Sequence, residues 1–157
     1  MRKVMSAVIL ALLVAPVAAQ SDGIGGNSES VREKLIGSWR LVLVDQQTPD
    51  GKTEKLERTG VIMYTRDGHM AVQILAAAHG PVDVGGPVQY EQGGYEAYYG
   101  TYDVDAKAHT VTHHVEGALV RTLIGKDLTR VYRFEGRQLI LKSSRVDEHW
   151  SIVWEHN

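Results

Sequence analysis

Residues 61–75, with the sequence VIMYTRDGHMAVQIL, have the pattern of two β-strands joined by a tight turn. The segments 61–64 and 69–75 are rich in β-branched and other apolar side chains, which favour extended structure. Residues 65–68 (TRDG) separate them, and an Asp-Gly pair supplies the positive backbone angle that a tight hairpin needs. We therefore expect an antiparallel hairpin here.

Short apolar segments separated by turn signals continue on both sides of this hairpin. Further strands are predicted at residues 35–44, 99–104, 109–116, 128–134, 139–144 and 149–155. In the first of these, alternation places Trp39 on the inward face. Strands in this number, with scarcely any helix, must close into a barrel or fold into a sandwich to bury their edges. We predict an all-β fold, a single antiparallel up-and-down β-barrel of about eight strands.

Residues 76–94 interrupt the strand pattern between the third and fourth predicted strands. This segment is rich in glycine and contains Pro81 and Pro87. Long connections of this kind are often functional lids or partly helical covers. We expect a short helix or lid here, with residues 91–99 supplying a short helix that carries several tyrosines.

The N-terminal residues have the pattern of a secretory signal peptide. Arg2 and Lys3 precede an apolar run, and small residues end at Ala19, which suits a cleavage site before Gln20. The run is too short for a spanning helix, which needs about 20 residues, although a retained membrane anchor is the alternative interpretation. The expected organisation is a signal peptide at 1–19, a flexible linker at 20–30 and a barrel domain at 31–157. Residues 31–34 could form one helical turn capped by Ser28 or Ser30.

Charge and cysteine content narrow the possible partners. The predicted leader carries two of the 17 basic residues and none of the 19 acidic ones, which leaves a net charge of about −4. Such a chain has no electrostatic footprint for nucleic acid, and no later segment favours stable membrane insertion.

A secreted or periplasmic protein without cysteine must be stabilised by its packed core alone. The sequence does not specify an oligomeric state.

Three stretches resemble the bacterial and fungal lipocalin-like domain family. They are LIGSWRLV (35–42), GVIMYTRDGHM (60–70) and YYGTYDV (98–104) followed by TVTHHVEG (110–117). The resemblance implies a small antiparallel barrel with an internal cavity, in which Trp39 plugs one end. It implies little about activity, although some fungal relatives of broadly similar barrels act on polyketide intermediates. The chain departs from such relatives mainly in its short, glycine-rich segment 76–94.

His113 and His114 follow each other on a predicted strand and should point to opposite faces. His113 lies between Val111 and Val115 and should face the barrel interior, with Tyr102 or Tyr64 as its hydrogen-bond neighbour. His114 should face solvent. An inward histidine is either a core residue bonded to a tyrosine or a carbonyl, or a polar contact or proton shuttle for a ligand.

Tyrosines cluster in the segments that carry the resemblance. Their apolar rings and polar tips suit an amphipathic ligand, although barrel core is the simpler role for any one of them. The predicted ligand-binding residues are Tyr64, Tyr98, Tyr102 and His113. The resemblance also implies that an arginine stacks on the barrel tryptophan, and Arg40, Arg130 or Arg133 could fill that role. Recognition of a ligand carboxylate is the alternative.

No familiar catalytic motif occurs in the chain. The serine-hydrolase elbow, the zinc-protease motif and the nucleotide-binding loops are all absent from the sequence. His69, His113, His149 and Glu116 could in principle bind a metal, but no spacing makes them converge. We expect neither a metal nor a cofactor.

Three functions fit these observations. The first is binding of a small hydrophobic or amphipathic molecule in the barrel cavity. The second is a cofactor-free isomerase or cyclase that uses His113 and Tyr102 as an acid–base pair. The third is a structural or interaction protein with a filled barrel. The sequence favours binding over enzymatic activity.

Overall fold

The computed structural model describes residues 24–48, 50–76 and 94–157. One α-helix, α1 (Ile24–Leu35), precedes nine strands in this part of the chain. The strands are β1 (Gly37–Gln47), β2 (Thr53–Leu56), β3 (Arg58–Tyr64), β4 (His69–Ala76), β5 (Tyr95–Asp105), β6 (Thr110–Ala118), β7 (Asp127–Glu135), β8 (Gln138–Ser143) and β9 (Trp150–His156). A short 3₁₀ turn (Arg121–Leu123) lies between β6 and β7.

The strands form a closed antiparallel barrel. From β3 to β9 each strand pairs with the next, and β9 returns to pair with β1 along residues 39–46. Strands β2 and β3 both pair with β1, through Val44 with Leu56 and Arg40 with Val61. They are two halves of one barrel strand, offset by one residue at Glu57, so the nine segments make an eight-stranded barrel. The predicted fold is confirmed.

Helix α1 covers the end of the barrel at which β1 begins. The Trp39 indole donates a 2.7 Å hydrogen bond to the Leu35 carbonyl, and both side chains are buried. The Arg32 guanidinium lies 4.9 Å from the centre of the Tyr102 ring. The Ala106 amide donates to the Ser28 hydroxyl at 3.2 Å. This end of the barrel is filled by side chains, as the predicted plugging role of Trp39 requires.

Several local expectations are wrong. Residues 24–30 are helical instead of forming a linker, so Ser28 and Ser30 lie inside α1 and do not cap it. Residues 53–56, which lie between two predicted strands, form a further strand, β2. Residues 95–99 belong to β5 instead of a helix, because they pair along residues 71–75 of β4.

Other expectations concern residues that the structure does not describe. The leader at 1–19 and most of the expected lid, residues 77–93, lie outside the described residues. Within the described ranges, no helix is long and apolar enough to cross a membrane.

Candidate functional site

A cavity of about 320 Å³ lies in the half of the barrel away from α1. Apolar side chains from four strands form much of its wall, namely Ile62, Val72, Ile74, Leu141 and Ile152. Ligand pockets in proteins typically measure about 300–1,000 Å³. A cavity of about 150 Å³ already accommodates benzene, so the volume here suits a molecule of roughly two fused rings.

His113 is the buried polar centre of this cavity wall. Alternation on β6 turns it inward with Val111 and Val115, and its side chain is 1% exposed. The Tyr64 hydroxyl lies 2.8 Å from Nε2, and the Tyr98 hydroxyl lies 3.0 Å from Nδ1. Both ring nitrogens therefore have a tyrosine partner.

The charge state of His113 follows from its surroundings. Burial, together with the smaller effects of the Arg130 and His114 charges, lowers the pKa of His113 to about 3. The imidazole is neutral at physiological pH, so it carries one N–H and one acceptor nitrogen. Burial also raises the pKa of Tyr64 and of Tyr98, so both phenols keep their protons.

The hydrogen bonds of Tyr64 decide which nitrogen carries the proton. Among the described residues, its buried hydroxyl has no hydrogen-bond partner other than His113. If Nε2 donated to Tyr64, the phenol proton would be left unpaired in the core, which costs about 1–3 kcal/mol. Tyr64 therefore donates to Nε2, and Nδ1–H donates to the Tyr98 oxygen. The Tyr98 proton is then free to point into the cavity, because Tyr98 lines it.

Arg130 supplies a cation to the same wall. Alternation on β7 turns it inward, and its guanidinium carbon lies 4.9 Å from the centre of the Trp150 ring. Among the described residues no carboxylate lies within salt-bridge distance of Arg130. It donates to the Thr129 carbonyl at 3.3 Å, and it lies close enough to the Tyr98 hydroxyl to act on the pKa of that phenol as a hydrogen-bond donor. The Arg130 charge also opposes the effect of burial on the pKa of Tyr98, because the two groups are close together.

Trp154 adds a further donor. It is 1% exposed and lines the cavity from β9. Its indole N–H is buried and has no hydrogen-bond partner among the described residues. Buried indole N–H groups usually find a partner.

The chain is similar to a known protein family and to a solved structure. The sequence profile of a family described as "lipocalin-like domain" matches residues 36–155. The chain belongs to the lipocalin-like domain family. Among solved structures, a mutant of the fluorescent protein UnaG matches with 11% identity and a TM-score of 0.39, covering 79% of this chain and 96% of that one. No curated protein matches the chain significantly.

In this lipocalin-like barrel the predicted site residues fall into two groups. Tyr98 and His113 line the cavity, and Tyr64 supports His113 from the core. Tyr102 lies opposite His113 in the β5–β6 pairing, and its ring packs edge-on against Tyr64 with centres 4.9 Å apart. It does not line the cavity, and its hydroxyl donates to the Thr65 carbonyl at 3.0 Å. Of the two hydrogen-bond neighbours predicted for His113, Tyr102 or Tyr64, the structure shows Tyr64.

His114 faces outward, as alternation on β6 predicts. Its Nδ1 lies 2.7 Å from an Asp127 oxygen, and its Nε2 lies 3.1 Å from an Asp103 oxygen. Within the described ranges no three histidine or acidic side chains group in a way that could hold a metal ion.

The three arginines expected to stack on a tryptophan do not share one role in the structure. Arg130 stacks on Trp150 rather than on Trp39. Arg40 and Arg133 point outward and form ion pairs with Glu155 and Glu135.

Sequence reasoning missed the cavity roles of Trp154 and Glu96. Alternation from Tyr98 and Tyr102 could have identified Glu96 as an inward residue on β5. Glu96 lies at the cavity mouth, where solvent reaches it, and partial burial raises its pKa while Arg130 opposes the shift. The expected helix over 91–99 concealed this alternation.

Proposed function

We propose that this lipocalin-like protein binds a small hydrophobic or amphipathic molecule in its barrel cavity. The observation that carries the proposal is a cavity of about 320 Å³ that combines an apolar wall with a few inward polar groups. Preformed pockets of this composition are typical of small-molecule sites. A barrel filled by side chains along its whole length would have no such space.

The surroundings of His113 support binding over proton transfer. A general base works best when its pKa lies near the operating pH, and burial lowers the pKa of His113 to about 3. Tyr102, the other member of the acid–base pair considered from the sequence, bonds to Thr65 and does not line the cavity. His113 is better suited to orient the Tyr98 hydroxyl.

A neutral fluorescent probe tests the cavity directly. N-phenyl-naphthylamine, whose emission rises in apolar surroundings, should bind the wild-type chain with a saturable signal. Ile74→Trp places a larger side chain into the cavity and should weaken probe binding by at least about tenfold. Leu75→Trp is the matched control, because Leu75 is the next residue on β4 and points outward with 38% exposure.

The outcomes separate the proposal from its alternatives. Equal probe binding by wild type and Ile74→Trp, with both proteins showing native circular dichroism, would place the probe on the surface and contradict cavity binding. Native mass spectrometry of protein from its own host should also show a co-purifying small molecule. Loss of that added mass in Ile74→Trp but not in Leu75→Trp would locate the molecule in the barrel.

We also propose that the protein acts outside the cytoplasm. Arg2, Lys3 and the apolar run ending at Ala19 support this. N-terminal sequencing of protein from the native host should begin at Gln20. Recovery of chains that retain Met1 from the membrane pellet would contradict the proposal.

A further inference from the structure

The polar groups on the inner cavity wall are hydrogen-bond donors. The Tyr98 hydroxyl keeps a spare proton because its oxygen accepts from His113 Nδ1. The Arg130 guanidinium stacks on Trp150 and meets no carboxylate among the described residues. The Trp154 indole N–H is buried without a described partner. Each of these three groups thus has at least one N–H or O–H without an acceptor among the described residues.

The charged side chains that line the cavity are two arginines and two glutamates. Arg58 and Arg130 line it, as do Glu96 and Glu148. Glu148 lies 3.1 Å from Arg145, which also pairs with Asp147 at 2.8 Å, so the two carboxylates share that cation. The Arg130 charge acts to lower the pKa of both Glu96 and Glu148, although no salt bridge joins it to either carboxylate.

The carboxylates that line the cavity either already accept hydrogen bonds from the protein or lie at the cavity mouth. Glu148 accepts from the Ser143 hydroxyl at 2.6 Å and from the Trp150 indole at 3.3 Å. Glu96 lies at the mouth, where solvent reaches it. A ligand group that entered the inner part of the cavity would therefore meet donors and positive charge. A carboxylate has only acceptor atoms and carries the opposite charge, and arginine binds it with two parallel hydrogen bonds.

We propose that Tyr98, Arg130 and Trp154 form a carboxylate-binding subsite, and that the ligand is a compact apolar acid whose carboxylate points inward. The apolar body of the acid would contact the wall formed by Ile62, Val72, Ile74, Leu141 and Ile152. This inference rests on the proposed binding function and specifies its ligand class.

Two isosteric probes test the subsite on the full chain. Naphthoate is a bicyclic aromatic carboxylate, and naphthamide is its neutral amide of nearly the same shape. Isothermal titration should show that naphthoate binds at least about tenfold more tightly, because hydrogen bonds to charged groups are stronger than neutral ones. Equal affinity, or tighter binding of naphthamide, would overturn the inference. The comparison uses wild-type protein and does not depend on any variant folding.

A charge variant on β7 tests the assignment to Arg130. Arg130→Gln should remove the preference for naphthoate over naphthamide, because it deletes the positive charge and the guanidinium fork that binds a carboxylate with two parallel hydrogen bonds. Arg133→Gln is the matched control, since Arg133 lies on the same strand, points outward and pairs with Glu135 at 2.7 Å. That control should retain the full preference. Loss of the preference in Arg58→Gln but not in Arg130→Gln would move the carboxylate to the mouth and overturn the assignment.

The results distinguish failure of this inference from failure of the proposed function. If N-phenyl-naphthylamine binds in the cavity but the two naphthalene probes bind equally, the barrel binds small molecules without a carboxylate subsite. If none of the three probes binds wild type, the proposed function fails and this inference fails with it.

Discussion

Two tyrosines hold His113 in one neutral tautomer. Tyr64 lies 2.8 Å from Nε2 in the core, and Tyr98 lies 3.0 Å from Nδ1 on the cavity wall. Because Tyr64 has no other described partner, its proton must go to Nε2. The direction of every proton in this triad therefore follows from the burial of one phenol. As a result, the Tyr98 hydroxyl can donate a hydrogen bond into the cavity.

Removal of the Tyr64 hydroxyl should test this arrangement. Tyr64→Phe leaves His113 Nε2 buried without a donor and should lower the free energy of unfolding by about 1–3 kcal/mol, measured by urea denaturation. Long-range ¹⁵N–¹H spectra of the wild type should show the proton on Nδ1. Tyr99→Phe is the control, because Tyr99 is 58% exposed, and it should change stability by under about 0.5 kcal/mol. A proton on Nε2 in the wild type would reverse the triad.

Trp39 closes the opposite end of the barrel, and its replacement should be costly. The side chain is 3% exposed, and its indole packs edge-on against His156 with ring centres 4.7 Å apart. Trp39→Ala should lower the free energy of unfolding by about 3–5 kcal/mol. Trp39→Phe keeps an aromatic ring but loses the bond to Leu35, so it should cost less than Trp39→Ala. An alanine variant that melts like wild type would show that the plug does not support the fold.

Among the elements, strands β5 and β6 lie close together at Gly100. A bulge shifts their register between Tyr99 and Gly100, and a Cβ atom built at Gly100 would lie 1.9 Å from the His114 carbonyl oxygen. Only glycine fits where one backbone lies this close to another. On the outer face of the same hairpin, Asp103, His114 and Asp127 tie β5, β6 and β7 together.

Gly100→Ala should therefore disrupt the β5–β6 pairing. The added methyl group meets rigid backbone, so we expect a loss of more than about 2 kcal/mol in the free energy of unfolding. Thr101→Ala, at the next position on β5, is the control and should cost under about 1 kcal/mol. Thermal melts of both variants measure the difference. Similar melting temperatures would show that β5 can move away from β6 at little cost.

The outer contacts of His114 should make this part of the sheet pH-sensitive. The hydrogen bond to Asp127 and, to a smaller extent, the bond to Asp103 raise the pKa of His114. A histidine with a raised pKa stabilises the folded state fully below its unfolded pKa of about 6.5, and that contribution is lost as pH rises through the folded pKa.

A double-mutant cycle measures this contribution. The coupling between His114→Gln and Asp127→Asn in urea denaturation should be larger at about pH 6 than at about pH 8, because only the protonated imidazole pairs with the carboxylate as an ion. Coupling that grows with pH would contradict the assignment.

At the scale of the whole molecule, the sequence predicted which side chains of a strand face inward. It did not predict which residues of different strands line one cavity. Alternation placed Trp39 and His113 inside and His114 outside, because strand periodicity depends only on neighbouring residues. Arg130 and Trp154 lie on β7 and β9, separated in the sheet by β8, and both line the cavity inside the closed barrel.

The helix at residues 24–30 was missed for a related reason. Its Gly/Ser-rich composition favours a linker, but contacts with the barrel, such as Ser28 with Ala106 and Arg32 with Asp103, are absent from any local pattern. Tertiary contacts of this kind outweigh intrinsic propensity.

The buried, neutral His113 couples the stability of the whole barrel to acid. In the unfolded chain its pKa is about 6.5, whereas burial lowers the folded value to about 3. A group with a lowered folded pKa contributes stability that is present above the unfolded pKa and is lost as pH falls toward the folded value. Below about pH 6.5 the unfolded chain binds a proton that the folded barrel excludes. The free energy of unfolding should then fall by up to about 1.4 kcal/mol per pH unit from this residue.

Urea denaturation between about pH 7.5 and pH 5 should reveal this slope, because most carboxylates remain ionised in that interval and contribute little. His113→Gln has no ionisable imidazole, so its stability should depend less steeply on pH than that of wild type, even if the variant is less stable at every pH. His114→Gln is the matched control on the neighbouring residue. It should make the slope steeper instead, because His114 stabilises the fold in its protonated form and so opposes the acid effect of His113. Parallel slopes for wild type and His113→Gln would mean that the folded barrel accepts a proton at His113, and the triad with Tyr64 and Tyr98 would then have to open in mild acid.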